Sequence, residues 1–260
     1  MSRLHPAASR GFARSAAAYE RGRPGYPAAA VEFLTARLRL EPGRTVVDLA
    51  AGTGKLTRLL AATGAEVVAV EPVAEMRAAL PADVRAVDGT AEAMPRPAAS
   101  ADAVTVAQAF HWFDGDAALA EIHRLLRPGG VLALVWNRRR MDDPLNRAVE
   151  ELVAPYRGHT PALRTGAWRA HFERTELFGP LDEHTFPNDQ SLDADGLVDR
   201  VASISFIASL DEAERADVLS AVRALAAPRH ERLLESRAWG LTHLDELASS
   251  ASANTGVAEP

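Results

Sequence analysis

Residues 46–57 of this 260-residue chain read VVDLAAGTGKLT. An apolar run ends at Asp48 and Leu49, a turn of small residues with two glycines follows, and leucines at helical spacing begin at Leu56. The pattern predicts a strand that enters a glycine-rich turn and continues into a helix N-terminus. In open α/β sheets, nucleotide-like ligands often bind at this point, because backbone N–H groups and the helix dipole face them.

Two phosphate-binding interpretations fit this turn poorly. A P-loop needs a glycine where the chain has Leu49 and a hydroxyl residue where it has Leu56. The dinucleotide fingerprint uses Gly52 and Gly54 but needs a third glycine where the chain has Thr57. The remaining Gly-x-Gly pattern is weak evidence for any ligand, so the neighbouring segments have to identify it.

A second buried strand is predicted at residues 66–71, which read EVVAVE and end in Glu71, 17 residues after Gly54. A carboxylate at this place suits a ribose diol, because it accepts hydrogen bonds from both hydroxyls. The alternation of strands and helices, which favours a parallel sheet, then continues. Its further segments are DGTAEAMP at residues 88–95, DAVTVAQAFHWF at residues 102–113 and LLRPGGVLAL at residues 125–134.

Taken in order, these five segments resemble the motifs of class I S-adenosylmethionine (SAM) dependent methyltransferases. The resemblance implies a Rossmann-like, doubly wound α/β fold with a mostly parallel seven-stranded sheet, an N-terminal lid and a helical cap insertion. It also implies SAM as the cofactor and S-adenosylhomocysteine as the product. The residues that it places at the cofactor are Asp48, Ala50, Gly52, Thr53, Gly54, Glu71, Pro72, Thr90, Ala91 and Gln108.

Some of these positions carry a more specific expectation. Ala50 stands where most relatives have glycine, and we expect it to keep a negative φ. Thr90 stands where many relatives have aspartate, so the backbone N–H of Ala91 is the expected contact to the adenine ring. Gln108 is expected to present its backbone carbonyl to the SAM amine. For Asp48 two alternatives stay open, a contact to the SAM amine through the turn and structural support of the loop.

Two segments are similar to the trans-aconitate and ubiquinone-type small-molecule methyltransferases. They are QAFHWF at residues 108–113 and YERGRPGYP at residues 19–27. The resemblance implies that the N-terminal segment is a lid over the cofactor, with Tyr19 and Arg23 near the methionine end of SAM. The alternative is that the tyrosines of this segment only anchor a helix to the body of the protein.

Methyl transfer from a sulfonium depends mainly on holding the nucleophile in line with the C–S bond, which is worth roughly 7–11 kcal/mol. A hydroxyl or phenol acceptor also profits from a base, and His111 at the tip of the fourth strand is the candidate catalytic residue. The alternative is that His111 shapes the pocket or donates to a substrate carboxylate. On an extended tip, either His111 or its neighbours Phe110 and Trp112 face the cofactor.

The composition excludes several other classes of function. The formal net charge of −6 leaves no basic surplus for nucleic acid, and the absence of cysteine excludes disulfides and thiol catalysis. No apolar run is long enough to span a membrane, and no histidines have metal-ligand spacing. We expect a cytoplasmic monomer or homodimer without a bound metal that acts on a small molecule.

The chain is expected to divide into a lid with a leading helix at 1–40, a SAM-binding core at 41–137, a cap with the last part of the sheet at 138–248, and a disordered tail at 249–260. Residues 238–245 lack the aromatic-rich pattern of a last strand, which leaves that edge of the sheet open. The run Arg138–Arg140 is expected to be a solvated face rather than a site for an acidic substrate.

The expected function is transfer of a methyl group from SAM to an O, N or C nucleophile of a small molecule, in a biosynthetic or secondary-metabolic setting. One alternative is a SAM-binding enzyme that catalyses a cyclisation, elimination or rearrangement without methyl transfer, with the sulfonium as an electrostatic element. A second alternative is a non-catalytic module that senses the ligand or binds a partner. The mass of the product distinguishes the first alternative from methyl transfer.

Overall fold

The structure, a computed structural model, describes residues 17–226 and the backbone of residues 237–248. The first part of the predicted lid, residues 1–16, and the predicted tail, residues 249–260, lie outside the described residues. Within the described part, no helix is long and apolar enough to cross a membrane.

The centre of the molecule is a parallel sheet of five strands, which confirms the predicted α/β class. The strands are β1 Thr45–Leu49, β2 Glu66–Val70, β3 Arg85–Val87, β4 Ala101–Ala107 and β5 Leu126–Arg139. They pair in the order β3-β2-β1-β4-β5, and every neighbouring pair is parallel. The strand order reverses at β1, so a crevice for ligands is expected beyond the carboxyl ends of β1 and β4.

Helices cover both faces of this sheet. α2 Ala28–Leu38 and α3 Lys55–Ala61 lie on one face and α5 Gly115–Leu125 on the other. The other two helices of this part of the chain are α1 at residues 17–22 and α4 Ala74–Arg77. Successive residues of a strand face opposite sides. Val46 accordingly packs with the leucines of α2 and α3, while Val47 packs with Leu119 and Ile122 of α5. Because β1 and α3 are both packed into the core, the turn that joins them has a fixed position.

Two antiparallel strands extend the sheet beyond β5. β7 Arg237–Ala248 pairs with β5 from Val131↔Ala248 to Arg139↔Gly240, and β6 Asp182–Ser191 pairs with β7. The edge of the sheet that the sequence left open is therefore occupied by β7, although residues 238–245 lack the aromatic-rich pattern. The outer edge of β5 presents backbone N–H and C=O groups that need partners, and a backbone ladder does not require an aromatic-rich pattern.

The remaining helices are α6 Pro144–Val153, α7 Arg169–Arg174, α8 Ala194–Ala202, α9 Ser205–Ala208 and α10 Glu212–Ala226. α6, α8, α9 and α10 share a hydrophobic core of their own, centred on the buried residues Val153, Val201, Ile207 and Val222. We call these four helices the helical layer. α7 packs instead into the main core through Phe172. The helical layer therefore combines two separate chain segments, residues 144–153 and residues 194–226.

Candidate active site

The turn between β1 and α3 has three left-handed residues in alternation. The φ angles are +55° at Ala50, +58° at Gly52 and +86° at Gly54. The expectation of a negative φ at Ala50 is therefore wrong, because the chain has to reverse within a few residues to enter α3. Alanine in this region costs about 1–2 kcal/mol, and such strain is typical of ligand-binding turns. A Cβ at Gly52 would meet nothing within 4 Å, so this glycine borders open space.

Asp48 lies fully buried beneath the turn. Its two carboxylate oxygens accept hydrogen bonds from the Thr57 hydroxyl at 2.6 Å and from the Thr105 hydroxyl at 2.8 Å. Burial raises the pKa of Asp48 to about 6, although both hydroxyls counteract the rise. Asp48 ties β1 to α3 and β4, and these contacts favour the supporting role over a direct contact to a ligand amine.

Glu71 lies at the carboxyl end of β2 and reaches back to the same turn. One carboxylate oxygen accepts from the backbone N–H of Gly52 at 2.9 Å and the other from that of Val73 at 2.8 Å. Burial raises the pKa of Glu71, and the two backbone donors counteract it. Each oxygen of an ionised carboxylate has a second lone pair, so Glu71 keeps acceptor capacity for the hydroxyls of a ribose.

The segment after β3 forms a tight turn at the same edge of the sheet. The backbone N–H groups of Thr90 and Ala93 each donate to the other residue's carbonyl, at 3.3 and 3.2 Å. Ala91, between them, is buried against the main core. A Cβ at Gly89 would lie 2.9 Å from Pro95 and 3.1 Å from Val70, so glycine lets the turn approach the end of β2.

The end of β4 carries the second strained residue of the site. Gln108 has a φ of +61°, and its backbone N–H donates to the Val135 carbonyl at 2.8 Å. Its side chain forms a hydrogen bond with the hydroxyl of Tyr26. Its side-chain nitrogen is buried and finds no partner among the described residues. An unpartnered buried donor costs about 1–3 kcal/mol, which a ligand at this point would recover.

Residues 110–112 form a 3₁₀ turn rather than an extended tip. The expected alternation between His111 and its two neighbours is therefore wrong, since side chains in a 3₁₀ turn are spaced by a third of a turn. Phe110 packs in the core against Phe172, at 4.9 Å between ring centroids. His111 and Trp112 both line the neighbouring cavity.

α1 connects the glycine-rich turn to the helical layer. The Glu20 carboxylate accepts from the Thr53 hydroxyl at 2.6 Å, and the Glu20 carbonyl accepts from Lys55 Nζ at 2.7 Å. On the other side, Arg21 binds the Asp199 carboxylate at 2.6 and 3.0 Å, and Arg23 donates to the Ser203 hydroxyl at 2.8 Å. The segment thus covers the turn as a lid would, and Glu20 is a contact that the sequence did not indicate.

A cavity of about 460 Å³ lies between α1, the ends of β4 and β5, and the helical layer. It brings together four of the predicted site residues, Tyr19, Arg23, Gln108 and His111. The predicted residues of the turn, with Glu71, Pro72, Thr90 and Ala91, do not line it. Wall residues that the sequence did not indicate include Trp136, Glu150 and Arg157. The cavity therefore adjoins the predicted cofactor site rather than coinciding with it.

His111 has an unusual electrostatic environment in this cavity. Burial, and then the positive charge of Arg23, lower its pKa to about 4. Its Nδ1 is buried and has no partner among the described residues. His111 is therefore neutral at pH 7 and has a ring nitrogen free to exchange a hydrogen bond or a proton with a ligand.

The arginine run at the end of β5 does not form one solvated face. β5 continues to Arg139, whose side chain is 19% exposed and lines the cavity, whereas Arg140 pairs with Asp142 at the surface. The expectation for this run is wrong for Arg139, because the strand carries it to the cavity wall instead of ending at residue 137. Burial, and then the charge of Arg23, lower the pKa of Arg139 to about 10.

A family model described as "Methyltransferase domain" matches residues 47–134. An uncharacterised methyltransferase of Mycobacterium tuberculosis is 40% identical over 239 residues, which cover 90% of this chain and 92% of that protein. Smaller shares match the ubiquinone/menaquinone biosynthesis C-methyltransferase of Rubrivivax gelatinosus, 43% identical over 35% of this chain and 38% of that protein. The trans-aconitate 2-methyltransferase of Azoarcus sp. is 36% identical over 52% of this chain and 55% of that protein.

Among solved structures, the chain is similar to phosphoethanolamine N-methyltransferase 2 of Haemonchus contortus in complex with phosphomonomethylethanolamine and S-adenosylhomocysteine. The TM-score is 0.58 at 15% identity, over 96% of this chain and 60% of that chain. At this level of identity the likeness concerns the fold alone.

Proposed function

Because the chain belongs to the methyltransferase family, we propose that it methylates a small molecule bound in the cavity between α1 and the helical layer. The observation that carries the proposal is the position of that cavity. It lies at the ends of β4 and β5, under the segment that also binds the glycine-rich turn. A cofactor on the turn and an acceptor in the cavity would therefore be neighbours.

The cofactor of the family is SAM, which supplies a methyl group on a sulfonium and a neutral thioether as the leaving group. Three features of the site fit it. Gly52 borders open space, Glu71 retains acceptor capacity, and the buried side-chain nitrogen of Gln108 awaits a partner. The residues that would hold SAM are Tyr19, Arg23, Ala50, Gly52, Thr53, Gly54, Glu71, Pro72, Thr90, Ala91 and Gln108, with Asp48 as support beneath the turn.

The contribution of the protein is mainly position and exclusion of water. The walls of the cavity would hold the acceptor so that its nucleophile forms a bond to the methyl carbon while the C–S electron pair passes to sulfur. Such alignment is worth roughly 7–11 kcal/mol without any covalent participation by the protein. α1, which is held by Thr53 on one side and Asp199 on the other, would cover both the cofactor and the acceptor.

His111 is the residue that we propose as the proton acceptor for a hydroxyl or phenol nucleophile. It lines the cavity, is neutral, and has an unpartnered Nδ1. A proton from the acceptor would be held at this nitrogen. The resulting His111⁺ would be costly, because it is buried and lies near the positive charge of Arg23. Because of this cost, His111 would accept the proton only as the bond to the methyl carbon forms, and it would release the proton to solvent when the product leaves.

Several broader expectations belong to this proposal as well. They are the division into lid, core, cap and tail at 1–40, 41–137, 138–248 and 249–260, the seven-stranded form of the sheet, and a monomer or homodimer without nucleic acid. A small-molecule acceptor is supported by the names of the two relatives with a stated substrate. A biosynthetic role follows the same support.

The test combines binding with product mass. Calorimetric titration should show SAM binding in the micromolar range, and incubation with SAM and small-molecule extracts should form S-adenosylhomocysteine together with a product heavier by one methylene. SAM binding with an unchanged product mass would contradict methyl transfer. Absence of SAM binding at millimolar concentration would overturn the cofactor assignment as well.

A further inference from the structure

The cavity has a surplus of positive charge on one wall. Arg139, Arg157 and Arg164 all line it, and Glu150 is the carboxylate that they share. Glu150 contacts Arg157, lies 3.8 Å from Arg139 and lies 3.6 Å from Arg164. Three guanidinium groups against one carboxylate leave a net positive charge at the wall, even before Arg23 is counted.

Two of these cations are held away from water. The side chains of Arg139 and Arg157 are 19% and 17% exposed, whereas that of Arg164 is 65% exposed. Buried charges are normally compensated by partners, because removal from water is costly. Burial and the neighbouring charges of Arg139 and Arg23 also lower the pKa of Arg200, just behind the wall, to about 9. The wall is thus built to receive an anion.

Unpartnered donors point to the same place. Arg157 and Trp136 both belong to the wall, and the Nε of Arg157 and the indole Nε1 of Trp136 are buried and have no partner among the described residues. Arg157 is also fixed in position, since its guanidinium lies 5.1 Å from the ring centroid of Phe206 and contacts Glu150. Trp136 is fixed by packing against Trp168, with the ring centroids 4.5 Å apart and the ring planes tilted by 39°. Fixed donors lose little entropy when they bind a ligand.

The rest of the lining indicates the shape of the ligand. Val153, Leu163, Ile204 and Phe206 contribute apolar surface beside the arginines. A planar guanidinium fork matches the two oxygens of a carboxylate and also those of a phosphate, so a phosphate ester is the competing class of ligand.

We propose that the acceptor is a small apolar acid whose carboxylate is held by Arg139 and Arg157. The inference rests on the proposed function in so far as it names the acceptor of the same site. The two arginines act by holding the substrate, and the methyl group goes to another atom of it or to the carboxylate itself.

The experiment measures binding and needs no turnover. Protein saturated with S-adenosylhomocysteine is titrated with three probes that share one body: 3-phenylpropionate, 3-phenylpropionamide and 2-phenylethyl phosphate. The acid should bind at least about tenfold more tightly than the amide, as expected for charge-assisted hydrogen bonds. R139Q and R157Q should each lose this preference. R139K should restore part of it, and R223Q, on the surface of α10, should leave it intact.

The outcomes separate this inference from the function itself. Equal affinity of acid and amide, including no measurable binding of either at millimolar concentration, overturns the acid acceptor. Tighter binding of the phosphate ester replaces it with a phosphorylated acceptor. In both cases intact binding of S-adenosylhomocysteine leaves the proposed methyl transfer standing, whereas loss of that binding contradicts the proposed function. Circular dichroism and cofactor binding of each variant show whether it is folded.

Discussion

Ala50 has a left-handed backbone conformation, in which its Cβ is crowded by the backbone. Its φ of +55° costs about 1–2 kcal/mol for alanine, and glycine would remove that cost while losing about 0.5–1 kcal/mol of chain entropy. Ala50→Gly should therefore leave the free energy of unfolding unchanged or raise it by up to about 1 kcal/mol. The neighbouring Ala51→Gly, without a positive φ to relieve, should lower it. Urea unfolding of both variants measures this, and equal destabilisation would refute the strain.

The raised pKa of Asp48 should make the stability of the protein depend on pH. Because its pKa is raised to about 6 in the folded state, from about 3.9 when unfolded, the folded protein binds the extra proton between these values. Its contribution to stability is therefore largest at low pH and is lost as the pH rises through 6, by roughly 2–3 kcal/mol. The difference in unfolding free energy between wild type and Asp48→Asn should fall accordingly between pH 4 and 7.

The matched control for Asp48 is Asp102, at the opposite end of the sheet. Burial raises the pKa of Asp102, but the Thr45 N–H and the charges of Arg44 and Arg127 outweigh burial and lower it overall. Its contribution to stability is therefore present above its unfolded pKa and lost at lower pH. The difference between wild type and Asp102→Asn should rise with pH in the acid range. The same sign for both residues would contradict the assignment of Asp48.

His111 carries the third prediction at the level of single residues. If it accepts a proton from the acceptor, His111→Gln should lower kcat by roughly 10²–10⁴-fold. Binding of S-adenosylhomocysteine should change little, and kcat/KM of the wild type should be flat above about pH 5, since the pKa of His111 is about 4. The control is His184→Gln on β6, which pairs with Asp182. An unchanged kcat would leave His111 a wall residue.

Individual site residues were predictable to different degrees. Tyr19, Arg23, Gln108 and His111 lie in motifs with a recognisable order along the chain, and all four meet at one cavity. Other residues of the cavity wall, such as Trp136 and Arg157, come from segments without a recognised site motif. Their proximity depends on how the helical layer packs against β5, which no local pattern encodes.

At the level of elements, α1 is held by close packing as well as by polar contacts. A Cβ on Gly22 would lie 2.3 Å from the backbone nitrogen of Arg200 in α8, a distance that real atoms do not reach. Gly22→Ala should therefore push α1 off α8 and weaken binding of S-adenosylhomocysteine roughly tenfold, with a cost typical of overpacking. Limited proteolysis of the N-terminal segment should accelerate.

The control for Gly22→Ala is the same substitution at Gly25, three residues further along the chain. A Cβ on Gly25 would meet nothing within 4 Å, so Gly25→Ala should alter neither cofactor binding nor proteolysis. Equal effects of the two variants would show that α1 is not fastened through its contact with α8.

Elements of the parallel sheet follow from the sequence, because β1, β2, β4 and β5 are apolar runs bounded by turns and α5 has a clear helical period. β7 was not predicted, since its place depends on the free edge of β5 rather than on its own pattern. The sequence predicted a cap within residues 138–248 but not which helices form it. Its core joins α6 to α8–α10 across β6, a long-range arrangement that composition does not reveal.

For the molecule as a whole, ligand binding should appear as stability. A ligand that binds only the folded state at a hundredfold excess over its Kd adds about 2.7 kcal/mol, which corresponds to a rise of roughly 5–10 °C in Tm for a chain of this size. S-adenosylhomocysteine should produce this rise in a thermal unfolding experiment, and NADH should not. A shift with NADH alone would return the glycine-rich turn to the dinucleotide class.

The double attachment of α1 has a kinetic consequence. The same short helix binds Thr53 of the turn through Glu20 and Asp199 of the helical layer through Arg21, so both contacts have to break before α1 can move away. If cofactor and acceptor bind on either side of α1 as proposed, each turnover includes a detachment of α1 that is separate from the chemical step. Spent cofactor and methylated product leave through one common opening event, and the viscosity of the solvent should slow kcat when that event limits the cycle.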